Sequence, residues 1–232
     1  MNLDVLIAAI TKSKNRKFLY HFTRAANLPA IAHFDALWSS GVLYPEGAGE
    51  RRTGARQVRY RDYVMTINAH LRILDSMLDD STTQEQFRST LDQHVFLWPT
   101  LRDCRKMMET YARREPEEAF AVLEFDAFTL LAEHASHVKL SKYDSGSSPR
   151  FPKLCMYKKS PDMFLPLSEF KTVLRQAVPA KASEVREVLI EGQVRQLSRH
   201  LRSVYVQSGT DIPERWMGLA KSWSELMREP SS

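Results

Sequence analysis

Apolar residues at Leu3, Leu6, Ile7 and Ile10 recur along one helical face and predict a short helix over residues 3–13. The pattern then shortens to a strand over 18–22. It lengthens again into a helix over Leu28–Phe34, with Asn27 as the N-cap and Pro29 in the first turn. Residues 37–43 read as a turn and a short extended piece, and the Gly- and charge-rich 45–55 as an exposed loop. A strand is expected over Tyr63–Ile67, a helix over 71–78, and a second helix running through Leu91 after the capping run Thr82-Thr83-Gln84-Glu85. His94–Leu97 is a compact strand stopped by Trp98-Pro99, and the helix over 101–114 must end before Pro116.

Farther along, the pattern predicts a strand over 121–125 and a helix over Ala127–Glu133. Residues 143–152 form a loop without periodicity, the best site for mobility. A helix over 167–176, a strand over 185–190, a helix over 193–201 and a strand over 203–207 complete the alternation. The tail, 208–232, reads as helical, with Trp216, Leu219, Trp223 and Leu226 spaced for packing. No internal repeat and no long linker divides the chain, so the expectation is one α/β (α+β) domain over 1–232.

Composition narrows the setting. The 232 residues are 43% hydrophobic, enough for a full core, yet no run reaches the roughly 18 apolar residues of a membrane helix. The first residues lack the basic start and apolar run of a signal peptide. Cys104 and Cys155 are the only cysteines and lack CxxC spacing, which argues against a disulfide framework or thiolate zinc and for a reducing cytoplasm. His134 and His137, near a helix end, read as surface residues; with no HExxH spacing, no metal is expected. Neither GxGxxG nor a P-loop is present.

The net charge of +5 is modest but unevenly spread. Arg51, Arg52, Arg56, Arg59 and Arg61 form one run without an acid. Lys139, Lys142, Arg150, Lys153, Lys158 and Lys159 form another opposed only by Asp144. Tyr60, Tyr63, Tyr143, Phe151 and Tyr157 interleave with them, a composition suited to pairing phosphates and stacking bases. A solvated loop fits either stretch equally well.

Two sets of residues stand out for chemistry. One is Arg186-Glu187-Val188-Leu189-Ile190, a carboxylate entering an apolar strand; the other is the arginine loop ahead of Asp62-Tyr63-Val64. Together with Leu19-Tyr20-His21-Phe22-Thr23 and Asn27-Leu28-Pro29, they resemble ADP-ribosyltransferases of the DarT type, toxins that modify bases in single-stranded DNA. The resemblance spans most of Leu19 to Val206 and implies an ADP-ribosyltransferase fold, a split, mixed central sheet with peripheral helices. It implies NAD as ADP-ribose donor and Glu187 as the catalytic carboxylate. The family's catalytic arginine, which also touches NAD, falls best on Arg52, with Arg51 and Arg56 as alternatives. His21, Phe22, Thr23, Asn27, Leu28 and Tyr63 would bind NAD, and Arg51, Arg56, Arg59 and Lys153 nucleic acid. Partners would be single-stranded DNA or RNA and an antitoxin protein, with no membrane. Trp98-Pro99-Thr100 departs from the family's polar step, which leaves open a protein or small-molecule acceptor, or a silent binding module.

Overall fold

A split between two sheets organises the fold. In this computed structural model, which describes residues 2–228, Phe18–Arg24 (β1) pairs antiparallel along its whole length with Phe120–Asp126 (β6). Leu201–Val206 (β11) follows β6 antiparallel, and Ala220–Ser222 (β12) adds in parallel, so this sheet is mixed with the order β1-β6-β11-β12. The second sheet is antiparallel throughout. It runs His94–Leu97 (β5), Glu187–Glu191 (β9), Val138–Ser141 (β7), Phe164–Pro166 (β8). The free edges of β1 and β5 touch at Tyr20 and Trp98, whose backbones exchange hydrogen bonds of 2.9 and 2.8 Å. Beyond this bridge the sheets diverge and leave a cleft.

Helices and small ladders close the outside. Leu3–Thr11 (α1), Leu28–Phe34 (α2) and Ala127–Glu133 (α6) bury Leu6, Ile7, Ile31, Leu130 and Leu131 in the main core. Ser40–Leu43 (α3) and Gln84–Asp92 (α4) flank the cleft, and α4 carries a capping box between Thr83 and Gln86. Leu101–Ala112 (α5) sends Cys104 and Met108 into an aromatic cluster with Tyr20, Phe22, Trp98 and Phe120. Arg56–Tyr60 (β3) and Tyr63–Ile67 (β4) make a hairpin, and Ala36–Trp38 (β2) pairs with Gln193–Arg195 (β10). Leu197–His200 (α7) and Trp223–Met227 (α8) are short. The result is a mixed α/β single domain with several sheets. Among the described residues, no helix is long and apolar enough to cross a membrane.

Several local expectations give way to tertiary pairing. Residues 71–78 form a single turn at Asp75–Met77, because their backbone is used sideways: Lys159 N–H donates to the Met77 carbonyl and Leu74 N–H to Ser148. The helix expected over 167–176 stops after Leu167–Glu169; Lys171 lies at φ 71°, and Leu174 is exposed. Residues 193–201 divide into β10 and α7 at Gln196, φ 56°, since β10 pairs with β2. The tail is not simply helical: a turn at Glu214–Leu219 and α8 bracket β12, which extends the first sheet. Its packing residues Trp216 and Leu226 are buried in different clusters, and 229–232 lie outside the described residues. Asn27 does not cap α2. A turn over Ala25–Asn27 already gives it helical backbone angles, and its side chain clasps Thr66 on β4 instead.

A candidate active-site cleft at the sheet junction

The cleft between β1, β5 and β4 holds about 200 Å3 of water-accessible space and is lined by His21, Phe22, Thr23, Asn27, Arg52 and Glu187. Residues from both ends of the chain meet here because β1 and β9 lie on either side of β5.

Glu187 opens β9 opposite Ser141 of β7 and is 2% exposed. Its Oε2 accepts from the Ser145 hydroxyl at 2.6 Å and the Ser145 N–H at 3.1 Å. Underneath, the fully buried Lys159 ammonium donates to the carbonyls of Asp144 and Ser145 and so holds the loop against the carboxyl. Burial and the nearby Asp144 push Glu187 above the ordinary carboxylate range, against the opposing pull of Ser145 and Lys159. Lys159 is pushed the other way, below its ordinary value, by burial. Far from being free, the 143–152 loop has its Ser145 fully buried.

On the facing wall, Arg52 is anchored. Its guanidinium donates to both oxygens of Asp92, at 3.1 and 2.6 Å, to the Asn68 carbonyl at 3.1 Å and to the Ser40 hydroxyl at 3.3 Å. His70 Nδ1 accepts from the Arg52 N–H, which leaves the ring proton on Nε2 to donate to Asp92 at 2.9 Å. Gly49, at φ +81°, brings its N–H to the other Asp92 oxygen within 3.3 Å. Burial alone would raise the Asp92 carboxyl; the bonds from His70 and Arg52 hold it well below its ordinary range. The loop expected to be exposed over 45–55 is thus pinned, with Gly47 and Gly49 buried, because Asp92 gathers its backbone.

Between these walls, His21 donates from Nδ1 to the Phe96 carbonyl at 2.8 Å, closing a third bond across the split. Burial pushes its ring down to about 4, so at neutral pH it is uncharged and its Nε2 is an acceptor. Asn27 braces this wall, donating to Thr23 Oγ1 and to the Thr66 carbonyl while accepting from the Thr66 N–H. Phe22 packs on Trp98 and Tyr111, with centroids at 5.2 and 5.5 Å, giving the cleft one aromatic end. The arrangement can seat a flat ring there and present a carboxyl, an imidazole acceptor and a guanidinium to its polar attachment.

Residues 17–201 match a family described as "Family of unknown function (DUF7002)". The chain belongs to this family. None of the curated proteins matches it. The DUF7002 span includes both walls of the cleft and stops short of β12 and α8.

Other residues proposed from the sequence lie elsewhere. Leu28 is fully buried in the core rather than on the cleft, since α2 turns it inward. Tyr63 packs on His33 and Phe34, at 5.2 and 5.5 Å, because the hairpin folds over α2. Among the three arginine alternatives, only Arg52 lines the cleft; Arg56 lies over Tyr44 at 3.9 Å, and Arg51 borders an adjoining groove. Arg59 and Lys153 are exposed. Asp92, His70 and Ser145 carry no local motif that marks them, and Lys159, counted with the second basic run, is buried beneath Ser145 instead of facing a phosphate. The one prior signal was Asp144, the lone acid within the second basic run.

Proposed function

We propose that this DUF7002 protein is an NAD-dependent mono-ADP-ribosyltransferase with Glu187 as its catalytic carboxylate and a base of single-stranded DNA as the favoured acceptor. The observation that carries this reading is the convergence of His21, Phe22, Thr23, Asn27, Arg52 and Glu187 on one cleft. The finer fold assignment, to the ADP-ribosyltransferase class, goes with it: the split between β1 and β5 matches the sheet that the sequence resemblance implies.

In this reading nicotinamide occupies the aromatic end, and its carboxamide N–H donates to the free acceptor of His21. The bond between C1′ of the ribose and the pyridinium nitrogen breaks, and its electron pair leaves with nicotinamide. Glu187 holds the ribose hydroxyls and stabilises the cationic sugar. A base nitrogen then attacks C1′, and its proton passes to Glu187. A carboxyl raised by a dry corner is suited to that exchange, since the cationic ring draws it to its charged form on binding and it accepts a proton readily afterwards. Arg52 must trade one of its bonds, to Ser40 or Asp92, to reach the donor's phosphates. A nucleic-acid acceptor, DNA or RNA, is supported by the adjoining groove, which shares His70, Leu71 and Gly146 with the cleft and adds Arg51, Arg72 and Arg88. In a cytoplasm such an activity needs restraint, which fits a toxin with an antitoxin protein.

The full pairing of Arg52 favours a second reading, a silent module of the same fold that binds nucleic acid without cleaving NAD. Incubation with NAD and mixed-sequence single-stranded DNA or RNA, read by intact mass, separates the readings. One added ADP-ribose per modified strand, absent in Glu187→Ala, is the expected result. Free nicotinamide without an adduct redirects the acceptor to protein or small molecules. Neither product, with salt-dependent strand binding retained, establishes the silent module.

A further inference from the structure

Away from the cleft, the end of α6 and the turn of α7 bring together Glu133, His134 and His200, whose ligand atoms all lie within 4.8 Å of one another. None of the three lines the cleft, so the inference goes beyond the NAD reading. The hydrogen-bond network fixes which atoms face inward. The Thr129 hydroxyl donates to Asp126, so it accepts from His200 Nδ1 at 2.9 Å and leaves His200 Nε2 to face Glu133 Oε2, also at 2.9 Å. The His134 ring donates to the backbone of Arg195, and its Nε2 is buried without a partner.

We propose that Glu133, His134 and His200 bind a divalent cation of the zinc type. Three observations point the same way. Two imidazole nitrogens and a carboxylate oxygen converge, and in the absence of a cation a single proton must bridge two of them. The other nitrogen of each ring is engaged by a hydroxyl or a carbonyl, the outer arrangement that orients imidazoles toward a metal. The unpartnered Nε2 of His134 is a buried lone pair that a cation would satisfy. Two nitrogens and one oxygen select zinc, cobalt or nickel over magnesium or calcium. Zinc bonds of about 2.0–2.2 Å set ligand atoms roughly 3.4 Å apart. Glu133 Oε2 and His200 Nε2, at 2.9 Å, would part slightly, and the remaining separations, all within 4.8 Å, lie within reach of side-chain adjustment. The exposed Glu133 is held only loosely by Arg199, 3.8 Å away and itself 68% exposed. Water takes the fourth position. The cation would then tie α6 to the turn that feeds β11.

The test uses the full chain, stripped with a chelator and titrated with zinc against a chromophoric competitor, with magnesium in parallel. One zinc per chain is expected, with no magnesium uptake, and zinc should raise the unfolding temperature. Glu133→Gln, at an exposed position, and His134→Ala, at a half-buried one, should keep the fold and each weaken zinc by more than about 100-fold, beyond the range seen for residues that only support ligands. Each should also abolish the temperature shift. His200→Ala is a supporting variant only, since its ring is buried. Absence of zinc uptake overturns the assignment. So does zinc uptake whose affinity is unchanged in Glu133→Gln and His134→Ala.

Discussion

Glu187 and Asp92 are buried carboxylates on facing walls of one cleft, each 2% exposed, and their surroundings treat them oppositely. Asp92 receives a guanidinium, an imidazole N–H, a hydroxyl and a backbone amide, and stays charged. Glu187 receives one hydroxyl and one amide, while the ammonium below it is spent on backbone carbonyls. Burial wins at Glu187 and pairing wins at Asp92. Equal exposure therefore says little about what a carboxylate does; the number and charge of its donors decide it. The paired corner braces the wall, and the underpaired corner has a proton to exchange.

The comparison breaks most sharply at Asp92. Asp92→Ala leaves Arg52 buried without its counter-charge and should cost about 3–5 kcal/mol in urea unfolding. Because Arg52→Met removes the other half of the same pair, the double variant should cost much less than the sum. Additive costs would mean that the pair does not act as a unit. Glu187→Gln should do the reverse. At about pH 4, where the folded carboxyl is neutral like the amide that replaces it, stability should change by less than about 1 kcal/mol, while nicotinamide release at neutral pH falls by about 100- to 1000-fold. Undiminished release would remove Glu187 from the reaction.

A pH series sharpens the contrast. Asp92 has a depressed folded value, so its contribution is complete above the unfolded value of about 3.9 and lost as pH falls through the folded one. Glu187 has a raised folded value, so its contribution is complete below about 4.3 and lost as pH rises through the folded one. His21, pushed down to about 4, adds a loss as pH falls from about 6.5. Urea midpoints should show Glu187→Gln flattening only the loss that sets in as pH rises above about 4.3, and His21→Gln only the loss that sets in as pH falls below about 6.5. The smallest effect belongs to the exposed Arg59 and Lys153. Changing both to Ser should alter stability by less than about 0.5 kcal/mol and lower the salt slope of strand binding by about one per lost phosphate contact. An unchanged slope would take both residues off the nucleic-acid surface.

By itself, the chain determined what depends on neighbours in sequence. Helical spacing in α1, α2, α4, α5 and α6, and the apolar runs of β1, β4, β5, β6, β9 and β11, follow from local periodicity. The motifs that carry the family resemblance also put His21, Phe22, Thr23, Asn27, Arg52 and Glu187 among the candidates that now share the cleft. Tertiary structure decided the rest, because strand register and loop docking join positions that no local pattern relates. It made strands of Arg56–Tyr60, Val138–Ser141 and Gln193–Arg195, whose alternation is too short or too polar to announce them. It moved Leu28 and Tyr63 off the cleft, set Arg52 apart from Arg51 and Arg56, and brought Asp92 and His70 to it across 40 and 18 positions. Ser145 reaches Glu187 across 42 positions, and His200 reaches Glu133 across 67. The opposite charge preferences of Asp92 and Glu187 are tertiary properties too, since burial and long-range partners, not the residue types, set them.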